Sequence, residues 1–172
     1  MSSRFRARSG GKVAGRITVP GDKSISHRAL LLAAIGEGRS RISGFLEGED
    51  CLATLAVLQS LGVPIEHAES GTVTVTGVGM RGLRAADHAL DVGNSGTAMR
   101  LLVGLLSAQS FASKLIGDES LMQRPMERVA EPLRRMGADV TTDNGRPPVR
   151  IAPAPRLNPI EYTLPVASAQ VK

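Results

Sequence analysis

Gly21-Asp22-Lys23-Ser24-Ile25-Ser26-His27-Arg28-Ala29-Leu30-Leu31 runs in step with Gly93-Asn94-Ser95-Gly96-Thr97-Ala98-Met99-Arg100-Leu101-Leu102-Val103. Each stretch is a glycine, an arginine seven residues later, then an apolar helical run, and such self-similarity marks a chain built from repeated units. The match continues outward: Leu58-Gln59-Ser60-Leu61-Gly62-Val63 answers Leu133-Arg134-Arg135-Met136-Gly137-Ala138 as a second helix closed by glycine. The two offsets are 72 and 75 residues. Between the helices lies a short β-like run, 40–42 or 113–116. After them come two more, 63–68 with 72–76 around Ser70-Gly71, and 138–142 with 149–151 around the hairpin signal Asn144-Gly145. The reading is an α/β (α+β) chain of helix-strand-helix-strand-strand units at about 21–92 and 93–167. A third unit is expected to open at Ser168-Ala169-Gln170-Val171-Lys172.

The rest of the sequence narrows what such a chain does. Its 172 residues are 42% hydrophobic and 22% charged, enough to bury a sizeable core. The apolar runs fall short of the roughly 18 residues a membrane helix requires, and no hydrophobic run follows Arg4, Arg6 and Arg8, so a cytoplasmic chain without membrane attachment is expected. Cys51 has no internal disulfide partner, and His27, His67 and His88 lack ligand spacing, so neither structural metal nor cofactor is expected. A net charge of +5 suits an anionic partner. With no Trp, one Tyr and three Phe, the chain lacks stacking platforms for bases, which favours small anionic metabolites over nucleic acid.

The unit openings carry the candidate chemistry. Lys23 and the first-turn N–H groups sit where a helix dipole is positive, and Ser24 and Arg28, four apart, share one helix face. The plain alternative is that Ser24 is only an N-cap and that Lys23 and Arg28 are solvated. The glycines of Gly93-Asn94-Ser95-Gly96-Thr97 allow close approach of a ligand to the backbone, although they also suit an ordinary capped turn. Arg124, before Pro125, is expected at the start of a helix over 126–136, a position that disfavours a cation unless an anion is bound there. Cys51 reads as a packing residue and His27 as structural. Glu37, Glu47, Glu49 and Asp50 read as solubilising.

Four motifs in order, those beginning at Gly21, Gly93, Gly117 (Gly117-Asp118-Glu119-Ser120-Leu121-Met122-Gln123-Arg124-Pro125-Met126) and Ser168, resemble the 5-enolpyruvylshikimate-3-phosphate synthase family. The resemblance implies the inside-out α/β barrel of the enolpyruvyl transferases, of which this chain would be an amino-terminal part. Residues 1–20 would cross to a second domain, and 21–172 would form an incomplete first one. It also implies transfer of an enolpyruvyl group from phosphoenolpyruvate to the 5-hydroxyl of shikimate 3-phosphate, with release of phosphate and no cofactor. Lys23 would touch both substrates and count as catalytic. Ser24, Arg28, Ser168, Ala169 and Gln170 would hold shikimate 3-phosphate, and Gly96, Arg124 and Gln170 would hold phosphoenolpyruvate. Ala169 stands where many relatives have serine, so any contact there comes from the backbone. The family's base, its enol-protonating lysine and two carboxylate-binding arginines belong to the second domain. The chain alone is therefore expected to be inactive and to act with a complementing carboxyl-terminal part, the whole being a glyphosate-sensitive monomer. Two other readings are the related UDP-N-acetylglucosamine enolpyruvyl transferase, which typically has Lys-Asn in place of Lys23-Ser24, and a non-catalytic basic anion-binding module.

Overall fold

A computed structural model of the chain describes residues 6, 10–12, 14–68, 71–154 and 156–164. The first unit runs α1 (Lys23–Ile35), β1 (Glu37–Ile42), α2 (Glu49–Ser60), β2 (Ile65–Ala68) and β3 (Thr72–Val78). Its strands form a sheet in the order β1-β3-β2, with β3 antiparallel to both neighbours. The second unit runs β4 (Leu90–Asp91), α3 (Gly96–Leu106), β5 (Ser113–Ile116), α4 (Glu119–Met122), α5 (Glu127–Arg135), β6 (Asp139–Asp143) and β7 (Arg146–Ala152). Its sheet order is β4-β5-β7-β6, with β7 antiparallel to β5 and β6. Without the added β4 and α4, the second unit repeats the element order and strand order of the first.

Those additions are the main departures from the sequence reading. β4 is a two-residue strand parallel to β5, too short to leave a periodic signal. α4 is one turn capped by Asp118, and it moves the start of the following helix from 126 to Glu127. The segment expected to open a third unit at Ser168 lies outside the described residues. Residues 14–20 are exposed and belong to no helix or strand.

Alternation explains the sheets. Val73 and Val75 on β3, and Val149 and Ile151 on β7, are buried while their neighbours are more exposed, so each sheet turns one face inward. Asn144 (φ 50°) and Gly145 (φ 79°) give the β6–β7 hairpin the two left-handed residues that such a tight turn needs. One apolar core runs through both units, from Leu30, Leu55 and Leu58 to Met99, Leu102, Leu115 and Val149. No helix among the described residues is long and apolar enough to cross a membrane.

Two contacts fix α1. A Cβ on Gly77 of β3 would lie 2.3 Å from the Gly36 carbonyl oxygen and 2.5 Å from that of Ala33, so the end of α1 rests directly on β3. At the other end, the buried His27 meets Thr54 of α2, its Nδ1 2.8 Å from Oγ1. The Thr54 hydroxyl donates to the Asp50 carbonyl (3.3 Å), so it accepts from His27 Nδ1–H, and the ring is held as the neutral Nδ1–H tautomer.

Gly77→Ala must therefore push backbone against backbone, and it is expected to cost about 1–3 kcal/mol, read as a fall of several degrees in the calorimetric midpoint. Burial, and then the charge of Lys23, lower the pKa of His27 below its ordinary 6.5. As pH falls below that value, the unfolded chain takes up a proton that the folded chain refuses, so stability drops with pH. The melting midpoint is expected to decline from pH 7 to pH 5 with a steeper slope than in His27→Gln. Equal slopes in the two proteins would contradict this account.

Candidate anion-binding site

At the start of α1, the Asp22 carboxylate caps the helix by accepting from Ile25 N (2.7 Å). The buried Ser26 hydroxyl donates to the Asp22 carbonyl (2.9 Å) and accepts from Leu46 N (3.0 Å). Gly21 lies so close to the Gly44 carbonyl that a Cβ would sit 1.9 Å from its oxygen. The turn into α1 is thus clamped from below, and Lys23, Ser24 and Arg28 are left exposed above it. This revises the plain alternative for Ser24, which is not the cap. It also revises the reading of Asp50, which forms an ion pair with Lys23 and is no mere solubilising group.

The second opening is built differently. Ser95 is the N-cap of α3, its hydroxyl accepting from Ala98 N (3.1 Å), so α3 begins one residue later than the sequence alignment with α1 implies. The buried faces of the two helices nonetheless keep the same register, Ser26, His27, Leu30, Leu31 and Ala34 answering Ala98, Met99, Leu102, Val103 and Leu106. Of the aligned arginines, Arg28 is exposed, whereas Arg100 is half-buried and returns to donate to the Gly96 carbonyl (3.1 Å). Asn94 joins this turn to the Gly117 motif. Its Nδ2 donates to Asp118 (2.6 Å), while Arg124 donates to its carbonyl (3.3 Å) and to its Oδ1. The Asp118 N–H donates to the Gly93 carbonyl (3.0 Å), and the Asp118 carboxylate caps α4 through Leu121 N (2.7 Å).

Gly96 lies under two guanidinium groups. A Cβ there would be 2.9 Å from Arg100 Nη1 and 3.2 Å from Arg124 Nη1. Close approach to this glycine is thus made first by the protein's own cations. Arg100 also reaches the Pro125 carbonyl (3.5 Å), and its Nε is buried without a partner among the described residues. Burial, then the charges of Arg128 and Arg124, push the Arg100 pKa down. Among the described residues none of these three arginines forms a salt bridge. The bond donated by Asn94, followed by the N–H of Leu121, holds the Asp118 carboxyl below its ordinary range.

Arg124 follows the carboxyl end of α4, whose C-cap is Gln123, where a cation is favoured. Arg124 also lies two residues before Met126, the N-cap of α5, close to the helix start the sequence suggests, and the case for an anion rests chiefly on arginines that form no salt bridge among the described residues. The structure joins Gly96 to Arg124 and sets Lys23, Ser24 and Arg28 along one helix. No hydrogen bond or salt bridge links the two groups among the described residues, and Ser168, Ala169 and Gln170 lie outside those residues. Two surface clefts of about 650 and 670 Å³ include none of these positions. Sequence reasoning gave no role to Asp50, Asn94, Asp118 or Arg100. Of these only Arg100 carried a signal, its place opposite Arg28 in the repeat.

The model of one protein family, described as EPSP synthase (3-phosphoshikimate 1-carboxyvinyltransferase), matches residues 7–172. The chain is 56% identical to the 3-phosphoshikimate 1-carboxyvinyltransferase of Hydrogenovibrio crunogenus, across 98% of this chain and 38% of that protein. It is 54% identical to the protein of the same name from Methylococcus capsulatus, across 98% and 39%. The solved EPSP synthase of Acinetobacter baumannii superposes with a TM-score of 0.88 at 57% identity, covering 92% of this chain and 36% of that one. The chain thus spans under two fifths of the length of the relatives it matches. With the model matched over nearly every residue and the inside-out α/β fold shared with a solved member, the chain belongs to the EPSP synthase family.

Proposed function

We propose that this chain supplies one side of the active surface of a 3-phosphoshikimate 1-carboxyvinyltransferase, which moves an enolpyruvyl group from phosphoenolpyruvate to the 5-hydroxyl of shikimate 3-phosphate and releases phosphate. The observation that carries the reading is the pair Arg100 and Arg124 gathered over Gly96 without a salt-bridge partner among the described residues, in a chain whose first helix start exposes Lys23, Ser24 and Arg28. Two anionic substrates must be brought side by side, and fixed cations with helix N-termini offset the cost of desolvating them.

In this reading Lys23 touches both substrates, Ser24 and Arg28 hold shikimate 3-phosphate, and Gly96 and Arg124 hold phosphoenolpyruvate. Ser168, Ala169 and Gln170 hold shikimate 3-phosphate, with Gln170 also reaching phosphoenolpyruvate. The proposal includes units at 21–92 and 93–167, a third from 168, and an amino-terminal crossing into a second domain. The proton-transfer groups and the arginines for the phosphoenolpyruvate carboxylate come from that second part. The partner is then the rest of the same enzyme, and the assembled protein acts as a monomer in the cytoplasm.

Calorimetric titration of shikimate 3-phosphate and a phosphate-release assay test this directly, on the chain alone and mixed with a fragment supplying the remaining length of its relatives. Turnover is expected only in the mixture, and turnover by the chain alone would overturn the division of the site. In the reassembled enzyme, Gly96→Ala is expected to displace two flexible guanidinium groups and leave the fold intact. The phosphoenolpyruvate KM should rise by roughly tenfold or more, glyphosate inhibition should weaken with it, and shikimate 3-phosphate affinity should hold. An unchanged phosphoenolpyruvate KM would remove Gly96 from that subsite.

A further inference from the structure

Asp50 is an anomaly. The surface near Lys23, Arg28 and the arginines over Gly96 suits anions, yet a carboxylate stands in it beside the most exposed helix start. Asp50 occupies the first turn of α2, whose N-cap, Gly48, has no side chain, and no capping bond uses the Asp50 carboxylate. Its partner is Lys23. The Lys23 side chain is half exposed, at 50%, while that of Asp50 is only 22% exposed, so the carboxylate is the sheltered member and the ammonium faces outward.

The backbone on both sides of the pair is fixed independently. Cys51 Sγ lies 3.7 Å from the Lys23 carbonyl oxygen, and the Thr54 hydroxyl ties the Asp50 carbonyl to His27, one turn along α1 from Lys23. Asp50 is therefore not needed to hold α1 against α2. Its carboxylate is left for the Lys23 ammonium, which would otherwise swing on four methylene groups.

We infer that Asp50 is a positioning residue: it tethers the Lys23 ammonium at the edge of the anion site until a substrate anion takes over part of that charge. This rests on the reading of Lys23 as a substrate-binding group. An incoming phosphate or carboxylate competes with Asp50, so the tether lowers anion affinity while holding the ammonium in one place. Removing the carboxylate should then tighten anion binding, the opposite of what damage to a structural ion pair would do.

The test uses the 172-residue chain with its lysines reductively methylated with carbon-13 formaldehyde, so that the Lys23 dimethylammonium signal reports its own surroundings. Wild type, Asp50→Asn, Asp50→Glu and Lys23→Met, the last to assign the signal, are each titrated with inorganic phosphate and with shikimate 3-phosphate. In Asp50→Asn the Lys23 signal is expected to move, and anions are expected to bind about threefold more tightly, with Asp50→Glu restoring both properties. An unmoved Lys23 signal, or weaker anion binding in Asp50→Asn, overturns the role of Asp50. A Lys23 signal that moves with Asp50→Asn but responds to neither anion in any variant overturns the substrate reading of Lys23, and the positioning role falls with it.

Discussion

Arg100, Arg124 and Arg128 repel one another, and the second unit is built to keep them together. Burial, and then the charges of Arg128 and Arg124, lower the Arg100 pKa from its ordinary value while the guanidinium stays charged. None of them forms a salt bridge among the described residues, so neutral oxygens do the holding: the carbonyls of Gly96 and Pro125 for Arg100, and the carbonyl and side-chain oxygen of Asn94 for Arg124. Neutral acceptors orient a guanidinium without cancelling its charge, as a site for an outside anion requires. Asp118 touches Asn94 and the first turn of α4 and acts on Arg124 only through space, without an ion pair. Asn94 thus passes orientation from Asp118 to Arg124.

The extra elements of the second unit exist around this arrangement. α4 is a single turn, too short to stand alone, yet its cap is the residue that fixes Asn94 and its carboxyl end delivers Arg124. β4 pairs with β5, and Asp91 at its end accepts from Gly93 N (2.8 Å), setting the entry to the 93–97 turn. The first unit has neither element. Its opening is clamped by Gly21 against Gly44 and by Ser26 against Leu46, and its cation is held by a true ion pair.

What was legible in the sequence was whatever repeats. The two helices per unit, the strand at 113–116 and the Asn144-Gly145 hairpin follow from period and turn chemistry, while the pairing of Gly96 with Arg124 comes only from the family resemblance. What escaped was set by single contacts across the fold. Asp50 lies 27 residues from Lys23, and only the packing of α2 on α1 brings them together. Asn94 and Asp118 stand in the motifs without an assigned role, and their joint hold on Arg124 is a tertiary fact. That Arg28 faces solvent while Arg100 folds back over Gly96 is likewise invisible to alignment: the two helices bury the same aligned positions, and what differs is that Arg100 finds the Gly96 and Pro125 carbonyls.

The two openings therefore manage positive charge in opposite ways, with unequal energetic consequences. In the proposed reading, an anion at Lys23 replaces an attraction that is already present, so its net gain is the difference between two favourable contacts. An anion at Gly96 would instead meet arginines that repel one another and have no salt-bridge partner among the described residues, so less of its Coulomb energy is offset. Partial burial strengthens the second case further, because the lower local dielectric enlarges both the repulsion and its relief.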